Sequence, residues 1–352
     1  MKKTIALLLT LTMVTAFAVT VPATEPAAEP EFVLTFSDYN PEGSAIGDAE
    51  KLAMAKIEED SNGRIKFEPY YSGSLLEAMD SWSGTAQGLA DISYYFITLS
   101  TGVQHAGEVF TQYHTFSAPA DTSKMEAAYR QVLEEIPEIQ EEANAANLTI
   151  LDICVTCPSI YLFTKEHDIN APEDIKGMIF QAQGHYSDAL TTIGASGEAL
   201  FPSDWYTSLE RGVVDALTFN WAGVPDFGFD SITNYYLEFG DNGGLYNGGC
   251  AYIMNLDTWN SLPEDLQKIV KEGFQYGNDW LVENDAKKTQ EVRKAELDAG
   301  KVVQTIPEED MQPWYDLAML SVEGWIKDCN DAGQDGQAIY DKYVEIVKSY
   351  VE

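Results

Sequence analysis

The fold of this chain is decided by three segments between residues 162 and 215. In order, they are Leu162-Phe-Thr-Lys165, Ala171-Pro-Glu-Asp-Ile-Lys-Gly-Met178 and Pro202-Ser-Asp-Trp-Tyr-Thr-Ser-Leu-Glu-Arg-Gly-Val-Val-Asp215. The first segment completes an apolar run that is typical of a β-strand, and the third ends in a surface turn. Strand and helix signals alternate along the chain around these segments, and such an alternation is typical of an α/β protein.

The same alternation extends towards the N-terminus. Residues 32–36 and 64–71 have the composition of β-strands. Between them, the apolar positions of residues 46–57 recur with a helical period. A helix that ends near Gly88 and a strand over residues 90–97 complete the predicted N-terminal unit.

One long helix is predicted in the C-terminal third. Leu262-Pro-Glu-Asp-Leu266 places proline and acidic residues where a helix begins. Apolar residues then recur as far as Leu297, and Gly300 is suited to the C-cap. At about 1.5 Å per residue, such a helix is long enough to cross a whole domain. A strand and two helices follow, over residues 301–305 and from Glu308 and Gln337.

The composition indicates a folded, strongly acidic protein. The chain has 352 residues, 45% of them hydrophobic, which is ample for a packed core. Lys and Arg number 21 against 57 Asp and Glu, which gives a formal net charge of −36. Such a field repels phosphate backbones and anionic membranes and argues against nucleic-acid binding. Adaptation to a salty or acidic habitat and steering of ligands both remain open as its cause.

The N-terminus predicts export. Lys2 and Lys3 precede an apolar run, and small residues follow, so residues 1–23 are predicted to be a signal peptide. A retained anchor is the alternative. No cysteine precedes Cys154, so a lipid-modified N-terminal cysteine is not expected. The predicted location is the periplasm.

Four cysteines are present at positions 154, 157, 250 and 329. Cys154-Val-Thr-Cys157 has the spacing of a redox motif, but its flanks have the pattern of β-strands rather than of a helix N-terminus. Residues three apart on a strand face opposite sides. Buried thiols or one structural bridge are therefore favoured over a redox site.

Catalysis, metal binding and a cofactor are not expected. The histidines are scattered, with no pair at the spacing of metal ligands on a helix. Ser196 lacks the Gly-x-Ser-x-Gly frame of a strained nucleophile turn. The sequence predicts a protein that is not an enzyme.

Taken together, these segments resemble the extracytoplasmic solute-binding subunits of tripartite ATP-independent periplasmic (TRAP) transporters, the DctP-like family. The resemblance rests on the three segments quoted above and on Asn62-Gly-Arg-Ile-Lys66, which precedes a glycine turn. It spans residues 32–347, and it lies in the order and spacing of the motifs.

The resemblance implies a two-lobed α/β fold with discontinuous lobes and crossing strands. Lobe I would comprise residues 31–153 plus 250–282, and lobe II residues 154–249 plus 300–352. The long helix, residues 266–297, would span both lobes. The ligand would lie in the cleft between them, and the lobes would close about the crossing strands near Cys154 and Cys250.

The function implied is capture of a small organic solute and its delivery to the membrane permease subunits of a TRAP transporter. The alternative is a ligand-sensing binding protein that serves a membrane receptor kinase. The chain itself does not separate these two roles.

One residue departs from the family pattern. Gln181 stands where family members carry an arginine that clamps the carboxylate of the substrate. Arginine offers a bidentate, charged fork, whereas glutamine offers one neutral donor group and one acceptor. We therefore expect a neutral, aromatic or amine-bearing solute to be favoured over a C4-dicarboxylate. An exposed strand position without a role in binding is the alternative for Gln181.

The other candidate ligand-binding residues are aromatic or amide side chains placed near the carboxyl ends of strands, where rings can stack on a ligand. With Gln181, the full predicted set is Tyr39, Asn40, Trp82, Tyr94, Tyr95, Tyr161, Gln181, Phe201, Phe219, Asn220 and Trp221.

Overall fold

A computed structural model describes residues 29–100, 102–113, 122–241, 244–245 and 247–351. The predicted signal peptide, residues 1–23, lies outside the described residues.

The described residues alternate strands and helices along the whole chain. The first part contains β1 (Phe32–Ser37), α1 (Ala45–Asp60), β2 (Ile65–Tyr70), α2 (Ser81–Ala86), β3 (Ile92–Phe96), α3 (Thr122–Glu135), α4 (Pro137–Ala145) and β4 (Leu148–Phe163). The middle contains β5 (Ile179–Gln181), α5 (Gly184–Thr192), β6 (Ser196–Glu198), α6 (Pro202–Arg211), β7 (Ala216–Asn220), β8 (Tyr235–Phe239) and β9 (Asn247–Asn255). The last part contains α7 (Leu256–Ser261), α8 (Glu264–Asp298), β10 (Val302–Ile306), α9 (Gln312–Asp331) and α10 (Gly336–Val351).

The strands form two sheets that share one long strand. Sheet A has the order β2-β1-β3-β9-β4, and sheet B continues from β4 through β7, β5 and β6. On the other side of β4, β8 and then β10 extend sheet B. The two-lobed α/β prediction is confirmed. The lobe boundaries given above stay predictions.

Strand β4 passes from one sheet into the other. Its N-terminal part pairs antiparallel with β9 as far as Pro158, and from Ser159 it pairs with β7. The sequence indicated two strands on either side of residues 154–158, and the structure has one strand of 16 residues. Register shifts at two points let this strand change direction while it keeps its neighbours.

Two aspartates order the second and third of the segments that decide the fold. The Asp174 carboxylate accepts hydrogen bonds from the backbone N–H groups of Asn170 and Ala171, at 2.9 and 3.0 Å, and closes the first turn. Asp215 exchanges bonds with Ile179: its carboxylate accepts from the Ile179 N–H at 2.9 Å, and its own N–H donates to the Ile179 carbonyl at 2.7 Å. These contacts fix the approach to β5, the strand that carries Gln181.

The long helix is confirmed, with bounds within two residues of those predicted. It packs on α1 through two glycines, because a Cβ at Gly273 would lie 2.2 Å from the Ile57 side chain and one at Gly277 would lie 2.7 Å from the Ala49 carbonyl oxygen. Gly300 follows the helix with φ of +83°, a conformation suited to glycine.

Helix α8 contacts both sheets. Near its middle, Asn278 donates to Asp152 on β4 at 2.7 Å. Further along, Arg293 forms a two-pronged bond to Glu238 on β8, at 2.6 and 2.8 Å. None of the helices in the described ranges is both long enough and apolar enough to cross a membrane.

Candidate functional site

A cleft of about 140 Å³ is lined by residues of both sheets and of α8. Sheet A contributes β3 and β9, sheet B contributes β5 and β7, and β4 lies between them. The cleft is therefore at the place where the strands cross, as expected for a ligand site between lobes.

Six of the predicted ligand-binding residues line this cleft. They are Tyr39, Asn40, Tyr94, Gln181, Phe219 and Asn220. They come from separate parts of the sequence, and the crossing of β4 brings them together.

Two predicted residues, Trp82 and Tyr95, lie in the core of the first sheet. Their rings pack against each other with centroids 5.1 Å apart, and Tyr95 is fully buried. Tyr95 is next to Tyr94 on β3, and consecutive residues of a strand face opposite sides. Only Tyr94 therefore faces the cleft.

Three other predicted residues also lie outside the cleft lining. Tyr161 is fully buried, and its hydroxyl is hydrogen-bonded to that of Tyr186. Trp221 is held by a 2.9 Å bond from its indole N–H to Glu238. Phe201 precedes the first turn of α6 and is 41% exposed. We leave these three, with Trp82 and Tyr95, out of the proposed site.

Gln181 is the last residue of β5 and is largely buried, with 9% of its surface exposed. Its Cα is in register with Glu198 on β6 and Leu217 on β7. It lines the cleft. Two residues on, the amide N–H of Gln183 donates to the carbonyl of Thr98 and ties this edge to the end of β3.

Asn40 is fixed by a buried aspartate. Its backbone N–H and its side-chain amide both donate to Asp38, at 3.0 and 2.9 Å. Burial raises the pKa of Asp38 to about 6 and that of the neighbouring Glu50 well above its ordinary value. The cluster therefore positions Asn40 from below the cleft surface.

Aromatic rings line two walls. In the first, Tyr39 and Tyr94 pack with centroids 5.8 Å apart. In the second, Phe219 packs on Trp205 at 5.7 Å and on Phe227 at 5.3 Å, near the edge-to-face arrangement that such rings favour. A flat or apolar ligand would find stacking surfaces on both walls.

Among the described residues, no lysine or arginine lines the cleft, whereas Glu108, Asp226 and Asp285 do. Lys288 neutralises Asp226 from behind, with its Nζ 2.8 Å from both carboxylate oxygens. Glu108 is 4% exposed and accepts from the Gly102 N–H. Burial, with smaller contributions from the charges of Glu142 and Asp328, raises the pKa of Glu108 to about 8, although the Gly102 N–H acts in the opposite direction.

The arginines are engaged elsewhere or lie outside the lining. Arg130 binds Asp152, and Arg293 binds Glu238. Arg64 bridges Glu31 and Asp265 on the surface, and Arg211 is in the last turn of α6. Lys165 is exposed and is also absent from the lining.

Sequence reasoning missed part of the cleft. The residues missed include Glu108, Gln112, Tyr186, Trp205, Asp226 and Asp285. Of these, only Asp285 carried a sequence signal: it is four residues after Leu281 on the predicted long helix, so the two side chains share one face. Among the described residues, no cluster of three or more histidine, cysteine or acidic side chains could hold a metal ion.

This fold and cleft define a two-lobed binding protein. The model of the family "Bacterial extracellular solute-binding protein, family 7" (DctP) matches residues 36–326. The chain therefore belongs to this family of extracytoplasmic solute-binding proteins. The expected resemblance to TRAP solute-binding subunits is confirmed at the level of family and fold.

Individual relatives agree with this assignment. The chain is 27% identical over 241 residues to the monocarboxylate 2-oxoacid-binding periplasmic protein of Nostoc sp., a match that covers 65% of this chain and 61% of that protein. The chain therefore matches less than two thirds of this relative's length.

Two solved structures share the fold. A TRAP solute-binding protein from Rhodoferax ferrireducens, in complex with copurified benzoate, is 23% identical with a TM-score of 0.77, covering 91% of this chain and 98% of that one. One from an unidentified marine microbe, in complex with metahydroxyphenylacetate, is 20% identical with a TM-score of 0.80, covering 91% and 100%.

Proposed function

We propose that this protein is the solute-binding subunit of a TRAP transporter, exported by residues 1–23, and that it delivers its solute unchanged to membrane permease subunits. Membership of the solute-binding family and the cleft at the strand crossing support this role. Nothing in the comparisons supports the alternative of a sensor for a receptor kinase. Deletion of the genes for adjacent transmembrane subunits should abolish uptake of the solute, and uptake that persists would contradict the transport role.

The solute proposed is small, has an aromatic or apolar body, and is neutral or carries an amine. The observation that carries this proposal is a lining with three carboxyl side chains, two aromatic walls and, among its described residues, no lysine or arginine. A ring can stack on either wall, and an ammonium group is attracted both to the faces of the rings and to Glu108.

The ligands named for the relatives differ from the solute proposed here. They include a protein that binds monocarboxylate 2-oxoacids and structures that hold benzoate and metahydroxyphenylacetate, all of which are carboxylates. Aromatic bodies are thus accommodated by this fold. The charge of the cleft favours a different head group in this chain.

A calorimetric panel tests the proposed solute class. It would compare succinate, malate, benzoate, an uncharged aromatic amide and an arylalkylamine, whose amino group lies on an alkyl arm and is protonated at neutral pH. A charge-assisted bond contributes about 1.5–3 kcal/mol against about 0.5–1.5 kcal/mol for a neutral one. We therefore expect the two dicarboxylates to bind at least about tenfold more weakly than the amide or the amine.

The matched variants are Gln181→Arg and Gln337→Arg, which add the same charge inside the cleft and on the exposed face of α10. Only Gln181→Arg should raise carboxylate affinity, by about tenfold or more. Tight binding of succinate by the unmodified protein would contradict the proposed class. Equal effects of the two variants would place residue 181 outside the site.

A further inference from the structure

Two thiols face each other on the crossing strands. Cys154 on β4 is directly opposite Cys250 on β9. Both side chains are buried, and both thiols are free. Directly opposed residues of antiparallel strands have Cα atoms about 4.5–5.5 Å apart. That separation is within the range that a disulfide spans.

The pair lies in the wall of the cleft. Both cysteines line it and pack with Tyr39 and Tyr94. Leu281 of helix α8 also lines the cleft. The third cysteine with a described side chain, Cys329, is buried on α9, where its thiol points to the carbonyl of His105 at 3.6 Å. The geometry for a bond is therefore present between Cys154 and Cys250.

We propose that Cys154 and Cys250 are a covalent modification site, at which a cross-strand disulfide forms in the exported protein and joins the two crossing strands at the cleft wall. Family membership places the chain outside the cytoplasm, where disulfides form and persist. The proposal does not depend on which solute the cleft binds.

The oxidant is the disulfide bond of an exchange partner. One cysteine thiolate attacks this bond, forms a mixed disulfide and releases the first partner thiol. The second cysteine attacks the mixed disulfide, which forms the Cys154–Cys250 bond and releases the second partner thiol. Two thiol protons and two electrons pass from the protein to the partner, so the partner is reduced as the protein is oxidised.

Burial of the two thiols determines when the disulfide forms. The thiolate is the attacking species, and burial raises the pKa of the Cys154 thiol well above its ordinary value. The folded, reduced protein should therefore exchange slowly. We expect the bond to form while the chain folds after export, before β4 and β9 close over the thiols.

The bond would stiffen the place where the two sheets join. Cys154 is five residues before Ser159, where β4 begins to pair with sheet B. A bond to β9 at this point would hold β4 up to Cys154 with sheet A, so a rotation of sheet B against sheet A would take place in residues 155–158, where the register shifts.

The experiment counts thiols in the full-length protein after export with its own leader and purification without reductant. The protein is denatured, alkylated with iodoacetamide and measured by intact mass. Of the four cysteines, two should react, and digestion should release one peptide pair joined through Cys154 and Cys250. After reduction with dithiothreitol, all four should react. Four reactive thiols without reduction would overturn the proposal, and so would a cross-link through Cys157 or Cys329.

Variants separate this bond from the other cysteines. Cys329→Ser should keep the bond and leave one reactive thiol, whereas Cys154→Ser should lose the bond and leave three. In thermal melts, reduction should lower the Tm of the unmodified protein and leave the Tm of a Cys154→Ser/Cys250→Ser variant unchanged. An equal effect of reduction on both proteins would contradict the proposal.

Discussion

At the scale of single residues, the charge of the cleft depends on Gln181 and Glu108. Gln181 contributes a neutral amide side chain to the lining. Glu108 is a buried carboxyl for which no basic side chain is described in the lining. A buried charge without a partner is costly, so an unliganded Glu108 holds its proton up to about pH 8.

The first prediction concerns Glu108→Gln. If an ammonium group of the ligand binds Glu108, the charge-assisted bond becomes a neutral one in this variant, and affinity for the arylalkylamine of the panel should fall about tenfold. Glu323→Gln on the exposed face of α9 removes the same charge away from the cleft and should have no effect. Calorimetry measures the affinity of both variants for the same amine. An unchanged affinity in Glu108→Gln would remove Glu108 from the site.

The second prediction concerns the pH dependence of amine binding. A bound cation favours the ionised form of Glu108, so binding below pH 8 should release a proton. Affinity should therefore rise between about pH 6 and 8 and level off above it. Calorimetry in buffers of different ionisation enthalpy measures the proton released. The carboxyl groups of Glu142 and Asp328 also raise the pKa of Glu108, so their charge is part of the same equilibrium. Affinity that falls as the pH rises would contradict this prediction.

At the scale of elements, helix α8 depends on two small residues for its close contact with α1. The third prediction is that Gly277→Val will destabilise the protein by about 1–3 kcal/mol, because the new side chain must displace the backbone of α1. Glu272→Val introduces the same residue on the exposed face of α8 and should cost much less. Chemical denaturation measures both, and equal losses would contradict the packing argument.

The same scale shows what sequence patterns could predict. The long helix was predictable because apolar residues recur over many turns and Gly300 marks its end. Strand β4 was harder, since Pro158 and polar neighbours interrupt its pattern, and its continuity comes from pairing with β9 and then β7. Tyr94 and Tyr95 were equivalent in sequence, and only the strand's orientation decides that Tyr94 faces the cleft. Glu108 belongs to a short turn with no periodic pattern.

At the scale of the whole molecule, the buried acidic groups and the net charge of −36 both make the folded state less stable as the pH rises. The folded state holds protons on Asp38, Glu50 and Glu108, whose pKa values are all raised by burial. A group whose pKa is higher in the folded state than in the unfolded state stabilises the protein fully at a pH below its unfolded-state pKa. This stabilisation is lost as the pH rises through its folded-state pKa. The fourth prediction is therefore that the free energy of unfolding falls between about pH 4.5 and 8.

The measurement is chemical denaturation across this range, with Glu108→Gln as the comparison. The variant has no proton to lose at this position, so its stability should fall less steeply than that of the unmodified protein. A stability that rises steadily from pH 4.5 to 8 would contradict the assigned pKa directions.

Movement of the two lobes also belongs to this scale. The fifth prediction is that they close about the strands near Cys154 and Cys250 when a solute binds. Small-angle scattering should give a smaller radius of gyration with the tightest-binding compound of the panel than without it. The same radius in both states would count against closure.

The central claim is that the cleft holds a solute with an aromatic or apolar body and no net negative charge. The most direct measurement is mass spectrometry of the small molecule released when protein purified from its native host is denatured. The account predicts a neutral or amine-bearing compound, in about equal amount with the protein. Release of a carboxylate anion in that amount, whether a monocarboxylate or a dicarboxylate, would contradict it.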